Sequence, residues 1–267
     1  MSQRTNASSA LPNTEQSWDA HWRRDGRAAL EELGVSQVMD QIKFNYLMPF
    51  LPQHGLFVEF GCGSARLARF IIRRGLRGIG LDRSHEALLV AQKASRQQDS
   101  GMPVGLIRAD VLACPLPSAA VDVVASTGLV EHFSDPWPVM QEMVRVLKPG
   151  GLFYSDIVPA KFSLYRCLDW LRIHQVEIFE RRFSQPEIEG LMMRAGLSEV
   201  RVFGAGVFPP RLPLLERSAF VRKVIASLTM ATLPFWRALD GTWFAALAGF
   251  YFFAVGRKSS VKSTEGP

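Results

Sequence analysis

Between Gly55 and Val158, short apolar runs alternate with longer segments whose apolar residues recur every three or four positions. LFVEF (56–60) reads as a buried strand, GCGS as a glycine turn, and ARLARFIIRRG (65–75) as a helix stopped by Gly75. RGIGL (77–81) is the next strand, followed by the helical SHEALLVAQKASRQQ (84–98) with Ser84 at its N-cap. PVGLIRA (103–109) and VDVVAST (121–127) read as strands. Asp135 is placed to cap a helix through PWPVMQEMVRVL, whose prolines suit a first turn, and GLFYSDIV (151–158) is a further strand. Such alternation predicts stacked βαβ units, hence a parallel sheet with helices on both faces and right-handed crossovers.

The flanks are patterned differently. Residues 1–16 are polar and predict a disordered tail; a second tail is expected over 259–267. Residues 17–54 predict a helical cap: Trp18 and Trp22 stand four apart, then Val35, Val38, Met39, Ile42 and Tyr46 follow at helical spacing until Pro49 and Pro52. Past the strand at 151–158, Ser184 and Glu187 match a capping box for a helix to Ala195, stopped by Gly196. SEVRVFG (198–204) and FYFFAVGRK (250–258) read as strands, with an apolar helical stretch, 209–247, between them. Residues 17–258 thus read as one domain, in which 158–183 and 209–247 are helical insertions.

Composition narrows the classes. The chain has 267 residues, 48% hydrophobic and 21% charged, which excludes disorder, collagen and coiled coil. The net charge of +6 permits an anionic partner, but there is no basic run of five residues, so no nucleic acid is expected. Cys62, Cys114 and Cys167 lie far apart, with no metal-ligand spacing: neither a disulfide framework nor a metal is expected. The first thirty residues hold no apolar run of the secretory kind, and a cytoplasmic protein is expected.

The strongest chemical signal is VEFGCGSAR (58–66): a strand, an acid, Gly-x-Gly, then a helix. Glycines allow a sharp turn and close approach of a ligand, and a helix start supplies unpaired N–H groups. The same pattern also suits a bare strand-to-helix turn. The dinucleotide fingerprint wants a third glycine where this chain has Arg66. Asp82 ends the next strand, where a carboxylate accepts from ribose hydroxyls or caps the following helix. Asp110, in RADVLACPLP, is placed to accept from an adenine amino group or to cap a turn.

Taken in order, VEFGCGSAR, LDRS, RADV, LVEHFSDP and RVLKPGG resemble the class I S-adenosylmethionine-dependent methyltransferases, in particular the small-molecule branch with the "EH…RVLKPGG" pattern. The resemblance covers roughly residues 45–205. It implies a Rossmann-like three-layer α/β sandwich whose mostly parallel seven-stranded sheet has an antiparallel last strand. It also implies S-adenosyl-L-methionine as cofactor. Glu59, Gly61, Cys62 and Gly63 match the motif at the methionine portion. Asp82 with Arg83 matches the ribose site, Asp110 with Val111 the adenine site, and Thr127 to Val130, including Leu129, the donor pocket. Lys148, Pro149 and Gly150 match a structural turn.

Methyl transfer from a sulfonium needs alignment above all, and a base only where the nucleophile carries a proton. His132 is the candidate base or positioning group; Glu131 is read as holding the loop or accepting from the cofactor. His21 and His174, in segments flanking the site, read as ordinary histidines. An Asn/Asp-Pro-Pro-aromatic run after the fourth strand is absent, and Cys114-Pro115 has the wrong order for a cytosine nucleophile.

The acceptor is expected to be a small molecule, with a lipophilic one favoured by the 209–247 segment. There Leu214, Val221, Val224, Ile225 and Leu228 form one helical face, with Arg217, Arg222 and Lys223 off it. That segment reads either as a lid or as a peripheral contact with the inner face of a membrane; the uncharged run Gly241–Gly256, 16 residues, is short for a span. Phe162, Tyr165, Trp170, Phe179 and Phe208 suit an apolar pocket or a core. Two other functions fit the pattern: a nicotinamide-dependent oxidoreductase, and a catalytically silent membrane-associated protein that retains the fold.

Overall fold

A computed structural model describes residues 13–30, 35–96, 103–160, 162–165, 178–208 and 218–260. Helices α1 (Glu15–Leu30) and α2 (Val35–Leu47) precede the sheet. The alternating region then gives β1 (Leu56–Phe60), α3 (Arg66–Ile72), β2 (Arg77–Asp82), α4 (His85–Arg96), β3 (Gly105–Arg108), β4 (Val121–Thr127), α5 (Trp137–Val146) and β5 (Leu147–Ile157). After it come α6 (Gln185–Arg194), β6 (Leu197–Ala205), three helices α7 (Ala219–Ala231), α8 (Leu233–Ala238) and α9 (Trp243–Ala248), and β7 (Tyr251–Lys258).

The seven strands form one sheet in the order β3-β2-β1-β4-β5-β7-β6. β1 to β5 are parallel, and β7 runs antiparallel to both β5 and β6. Chain order reverses between β1 and β4, and at such a point the flanking loops part to leave a crevice at the carboxyl ends of the strands.

Both faces of the sheet are covered, which is why the strands read as continuous apolar runs. Phe57, Val123, Leu152, Tyr154 and Phe253 pack with Leu67, Ala68 and Ile71 of α3 and Ala91 of α4. Val58, Phe60, Val124 and Phe153 pack with Val139, Met140 and Met143 of α5 and Ile188 and Met192 of α6. Fully burying one such side chain contributes about 1.5–3 kcal/mol. A smaller cluster joins Val38, Met39 and Ile42 of α2 to Phe208, with Tyr165 against it.

Several local expectations need correction. The described chain begins inside the segment read as a tail: Asn13 and Thr14 are placed, and α1 starts at Glu15, because Asn13 finds partners across the fold. The capping box at Ser184 does not form. Ser184 makes no side-chain cap bond, and Glu187 instead pairs with Arg181 at 2.6 Å. In the stretch 158–183 only 158–160, 162–165 and 178–183 are described, so the helix expected there, with Trp170 and His174, lies outside the described residues. The face drawn through 209–247 splits. On α7, which packs on α2, Ile225 is half-buried and Thr229 buried, whereas Val224 and Leu228 are exposed; Leu214 and Arg217 lie outside the described residues.

Candidate functional site

A cavity of about 640 Å³ opens at the β1/β4 crevice. Its floor comes from strand ends and the loops after them: Glu59, Gly61, Cys62 and Gly63 after β1, Asp82 and Arg83 after β2, Thr127 and Leu129 after β4, and Asp156 on β5. Its walls come from far along the chain: Asn13, Trp18 and Trp22, then Asp40, Lys43 and Phe44 of α2, then His132, Phe133 and Phe179.

The glycine loop is built for close approach. Gly61 and Gly63 both have positive φ, +63° and +51°, which an L side chain rarely adopts. A Cβ on Gly63 would stand 2.4 Å from the Trp22 ring, and one on Gly61 2.7 Å from Leu129. Positions 61 and 63 therefore favour glycine. Cys62 is buried, its thiol pushed well up by burial, so it is a packing residue and no nucleophile.

The carboxylates at the ends of β1 and β2 each accept from backbone N–H groups. Asp82 accepts from Gly63 N–H at 2.8 Å and from Ser84 N–H at 2.9 Å, so it fixes the glycine loop and the start of α4 together. Burial raises its pKa, and those N–H groups oppose the rise. Glu59 accepts from Ala68 N–H at 2.9 Å and from the Thr127 hydroxyl at 3.2 Å. It is fully buried, which pushes its pKa up to about 8. Ser84 caps α4 as expected, accepting from Ala87 N–H at 3.1 Å and donating to Asp19 of α1 at 2.6 Å.

The opposite side is held by side chains. Asp156, buried on β5, accepts from Lys43 of α2 at 2.9 Å and from the Tyr154 hydroxyl at 3.1 Å. Arg66, where a dinucleotide fold would want glycine, pairs with Asp40 at 2.9 Å. His132 donates from Nδ1 to the Phe179 carbonyl at 2.9 Å; a carbonyl can only accept, so this bond puts the proton on Nδ1 and the lone pair on Nε2. The Asn13 side chain spans the two loops, donating to the His132 and Phe179 carbonyls and accepting from Phe179 N–H at 3.0 Å. Trp18 meets the His132 ring edge-on, with centroids 4.9 Å apart. Glu131 points away from the cavity. It accepts from Val158 N–H at 3.0 Å, its other oxygen has no partner among the described residues, and burial pushes its pKa up to about 8.

Most of the expected residues therefore converge, with one exception. Asp110 is exposed, stands outside the cavity wall and accepts from Leu112 N–H at 2.9 Å; Val111 and Leu112 reach the cavity in its place. His21 packs between the edges of Trp18 and Trp22. Of the five aromatics considered for a pocket, Phe179 lines it, Phe162 is exposed, Tyr165 and Phe208 belong to the α2 cluster, and Trp170 is outside the described residues. The helices α7 to α9 contribute nothing to the wall. α9 packs on β6, at the far edge of the sheet from β1 and β4, and α7 packs on α2; residues 209–217 of that segment lie outside the described residues. Sequence reading missed Asn13, Asp40, Lys43 and Asp156. The one signal available was an acid inside an otherwise apolar strand, at Asp156 in LFYSDIV.

Residues 58–155 match a family model described as a methyltransferase domain. Among curated proteins, the ubiquinone biosynthesis O-methyltransferase of Pseudomonas fluorescens is 36% identical over 103 residues, covering 38% of this chain and 43% of that relative. An uncharacterized methyltransferase of Mycobacterium leprae is 32% identical over 101 residues, covering 38% and 36%. The chain thus spans less than half the length of these relatives. Among solved structures, a Thermotoga maritima S-adenosylmethionine-dependent methyltransferase, described as a possible histamine N-methyltransferase, superposes with a TM-score of 0.58 at 19% identity, covering 92% of this chain and 98% of that one. A Haemonchus contortus phosphoethanolamine-type N-methyltransferase, in complex with S-adenosylhomocysteine, gives 0.57 at 18% identity over 82% and 52%. These likenesses show the Rossmann-like methyltransferase fold.

Proposed function

We propose that this chain, whose residues 58–155 form a class I methyltransferase domain, transfers a methyl group from S-adenosylmethionine to a small lipophilic acceptor. The observation that carries this reading is one cavity shared by two kinds of wall. A glycine loop with two buried acids, Trp22 against Gly63, forms one part, and the rings of Trp18, Phe44, Phe133 and Phe179, with Asp40, Lys43 and Asp156, line the rest. Aromatic walls around convergent polar groups are a usual make-up of a small-molecule site.

The cofactor supplies a methyl already activated by the positive charge on sulfur. The residues present fit such a group: Gly61 and Gly63 add no side chain to the loop, and Asp82 keeps lone pairs beyond the two it gives to N–H groups. Glu59, Asp82, Thr127 and Leu129 would hold the cofactor. Asp110, turned to solvent, leaves the adenine to Val111 and Leu112. Glu59 ties β1 to Thr127 at the end of β4, fixing the two lips of the crevice relative to one another. Alignment is the main task, and rigid walls achieve it. His132, with its proton held on Nδ1 by Phe179, has Nε2 as the atom to take a proton from an acceptor hydroxyl.

The test supplies methyl-labelled S-adenosylmethionine to purified protein with extracted lipids and separately with water-soluble metabolites. Label in the organic-soluble products supports the reading; label confined to water-soluble products overturns the lipophilic acceptor, and no S-adenosylmethionine binding at all overturns the whole. His132→Ala should lower turnover by about 10²–10⁴ with cofactor affinity unchanged. Unchanged turnover removes His132 from the chemistry.

A further inference from the structure

Seven of the eleven large apolar side chains exposed among the described residues fall between Ser218 and Leu247. The other four, Leu89, Leu112, Phe162 and Met193, are scattered singly, as on any surface. On α7, Phe220 (74% exposed), Val224 and Leu228 (63%) stand at i, i+4 and i+8, one stripe of the helix. That helix packs on α2 and buries other positions, Ile225 in part and Thr229 fully, so the stripe is not spare core. Phe235 (62%) follows on α8, and α9 repeats the spacing with Trp243 (79%) and Leu247 (58%).

Charge accompanies this surface. Among residues 218–247 the chain has Arg222, Lys223 and Arg237 against a single acid, Asp240, a net +2. Asp240 is turned inward, accepting from the Tyr46 hydroxyl at 2.8 Å and from Gly206 N–H at 2.9 Å, and Arg237 lies beside it over the Tyr46 ring, 5.2 Å from its centroid. Lys223 is exposed beside Val224. Aromatic and aliphatic side chains standing in water beside a cationic surplus match an interface of lipid headgroups, where rings enter the acyl boundary and cations meet anionic heads. No helix among the described residues is long and apolar enough to cross a membrane, and α7 has 13 residues. The mode is therefore lying on a surface, not spanning it.

We propose that the α7–α9 surface docks the protein on an anionic lipid bilayer through Phe220, Leu228, Phe235 and Trp243, with Lys223 among the cations at the headgroups. The inference stands apart from the methyltransferase reading, since none of these residues lines the cavity. With the enzyme reading added, it gives the site access to an acceptor dissolved in the bilayer.

The experiment is flotation of the full chain with vesicles of phosphatidylcholine alone and with an equal part of phosphatidylglycerol. Wild-type protein should float with the anionic vesicles and stay behind with the neutral ones, and high salt should weaken binding. The double variant Phe220→Ser with Trp243→Ser should partition at least about tenfold less, with an unchanged circular dichroism spectrum. Lys223→Glu, a single change at an exposed position that leaves the apolar stripe intact, should lower binding to anionic vesicles alone. Wild-type protein that floats with neither vesicle overturns the proposal. So does a self-associated species in sedimentation, without vesicle binding, that the double variant dissolves; that result assigns the face to a second copy of the chain.

Discussion

The two sides of the cavity are made by different means. On the β1–β2 side, Glu59 and Asp82 are held by backbone N–H groups 9 and 19 residues away in the chain. On the β5 side, Asp156 is held by a lysine 113 residues away, and Asn13 reaches 166 residues to Phe179. The first arrangement follows from one strand–loop–helix unit and needs little from the rest of the molecule. The second exists only when the cap, β5 and the 178–183 loop have all arrived. A socket of the first kind suits a ligand common to many enzymes, and walls of the second kind suit one particular acceptor. Substitutions on the two sides should therefore fail differently.

The largest effect is expected on the side-chain-held side. Lys43→Met leaves Asp156 buried with only the Tyr154 hydroxyl for support and should destabilise the fold by about 3–5 kcal/mol. The shift in denaturant midpoint measures it. A loss below about 1 kcal/mol would show the pair to be dispensable and the contrast unfounded.

Next comes pH. Glu131 has its pKa raised by burial from 4.5 to about 8, so the folded state holds a proton there that the unfolded state has lost. Its contribution is fully present below the unfolded value and is lost as pH rises through the folded one. Stability should therefore decline between about pH 5 and pH 8 by on the order of a few kcal/mol, with Glu59 acting in the same sense. Glu131→Gln, which cannot ionise, should flatten part of that decline without altering S-adenosylmethionine affinity. An identical pH profile in the variant would show that Glu131 does not carry it.

Asp82→Ala should weaken S-adenosylmethionine binding by roughly 1–3 kcal/mol, read by calorimetry. Full affinity would remove the ribose assignment and leave Asp82 a loop anchor only. The smallest effects are a matched pair of glycines. Gly63→Ala combines a left-handed backbone with contact on Trp22 and should cost affinity by about tenfold as well as stability by about 2 kcal/mol. Gly150→Ala has φ of +74° but nothing within 4 Å, so it should cost about 1 kcal/mol of stability and no affinity.

The same division explains what could be read from the chain. β1 to β5 and their helices were legible because both signals, apolar period and glycine punctuation, are local, and β4 matches its expected bounds at both ends. Glu59, Gly61, Gly63 and Asp82 were legible for the same reason. Lys43 and Asp40 were not, since a charged residue on an amphipathic helix looks solvated until α2 is known to lie against the cavity. Asn13 was assigned to a tail because its partners are carbonyls on loops that no local pattern connects to it. Asp110 reads as an adenine contact or a turn cap; the structure shows the cap, one oxygen accepting from Leu112 N–H, and places the residue outside the cavity wall. The capping box at Ser184 failed because Arg181 competes for Glu187.

The place of β7 between β5 and β6 bears on how the molecule is made. Synthesis runs from the amino end, so β5 and β6 emerge well before Tyr251–Lys258, and neither has its neighbour until those eight residues are out. β5 keeps one open edge during that interval, and β6 has no sheet at all. Open edges of apolar strands recruit other chains. The nascent protein should therefore be most vulnerable to aggregation late in translation. Truncation before Tyr251 should yield insoluble chains even though every expected cofactor contact lies upstream.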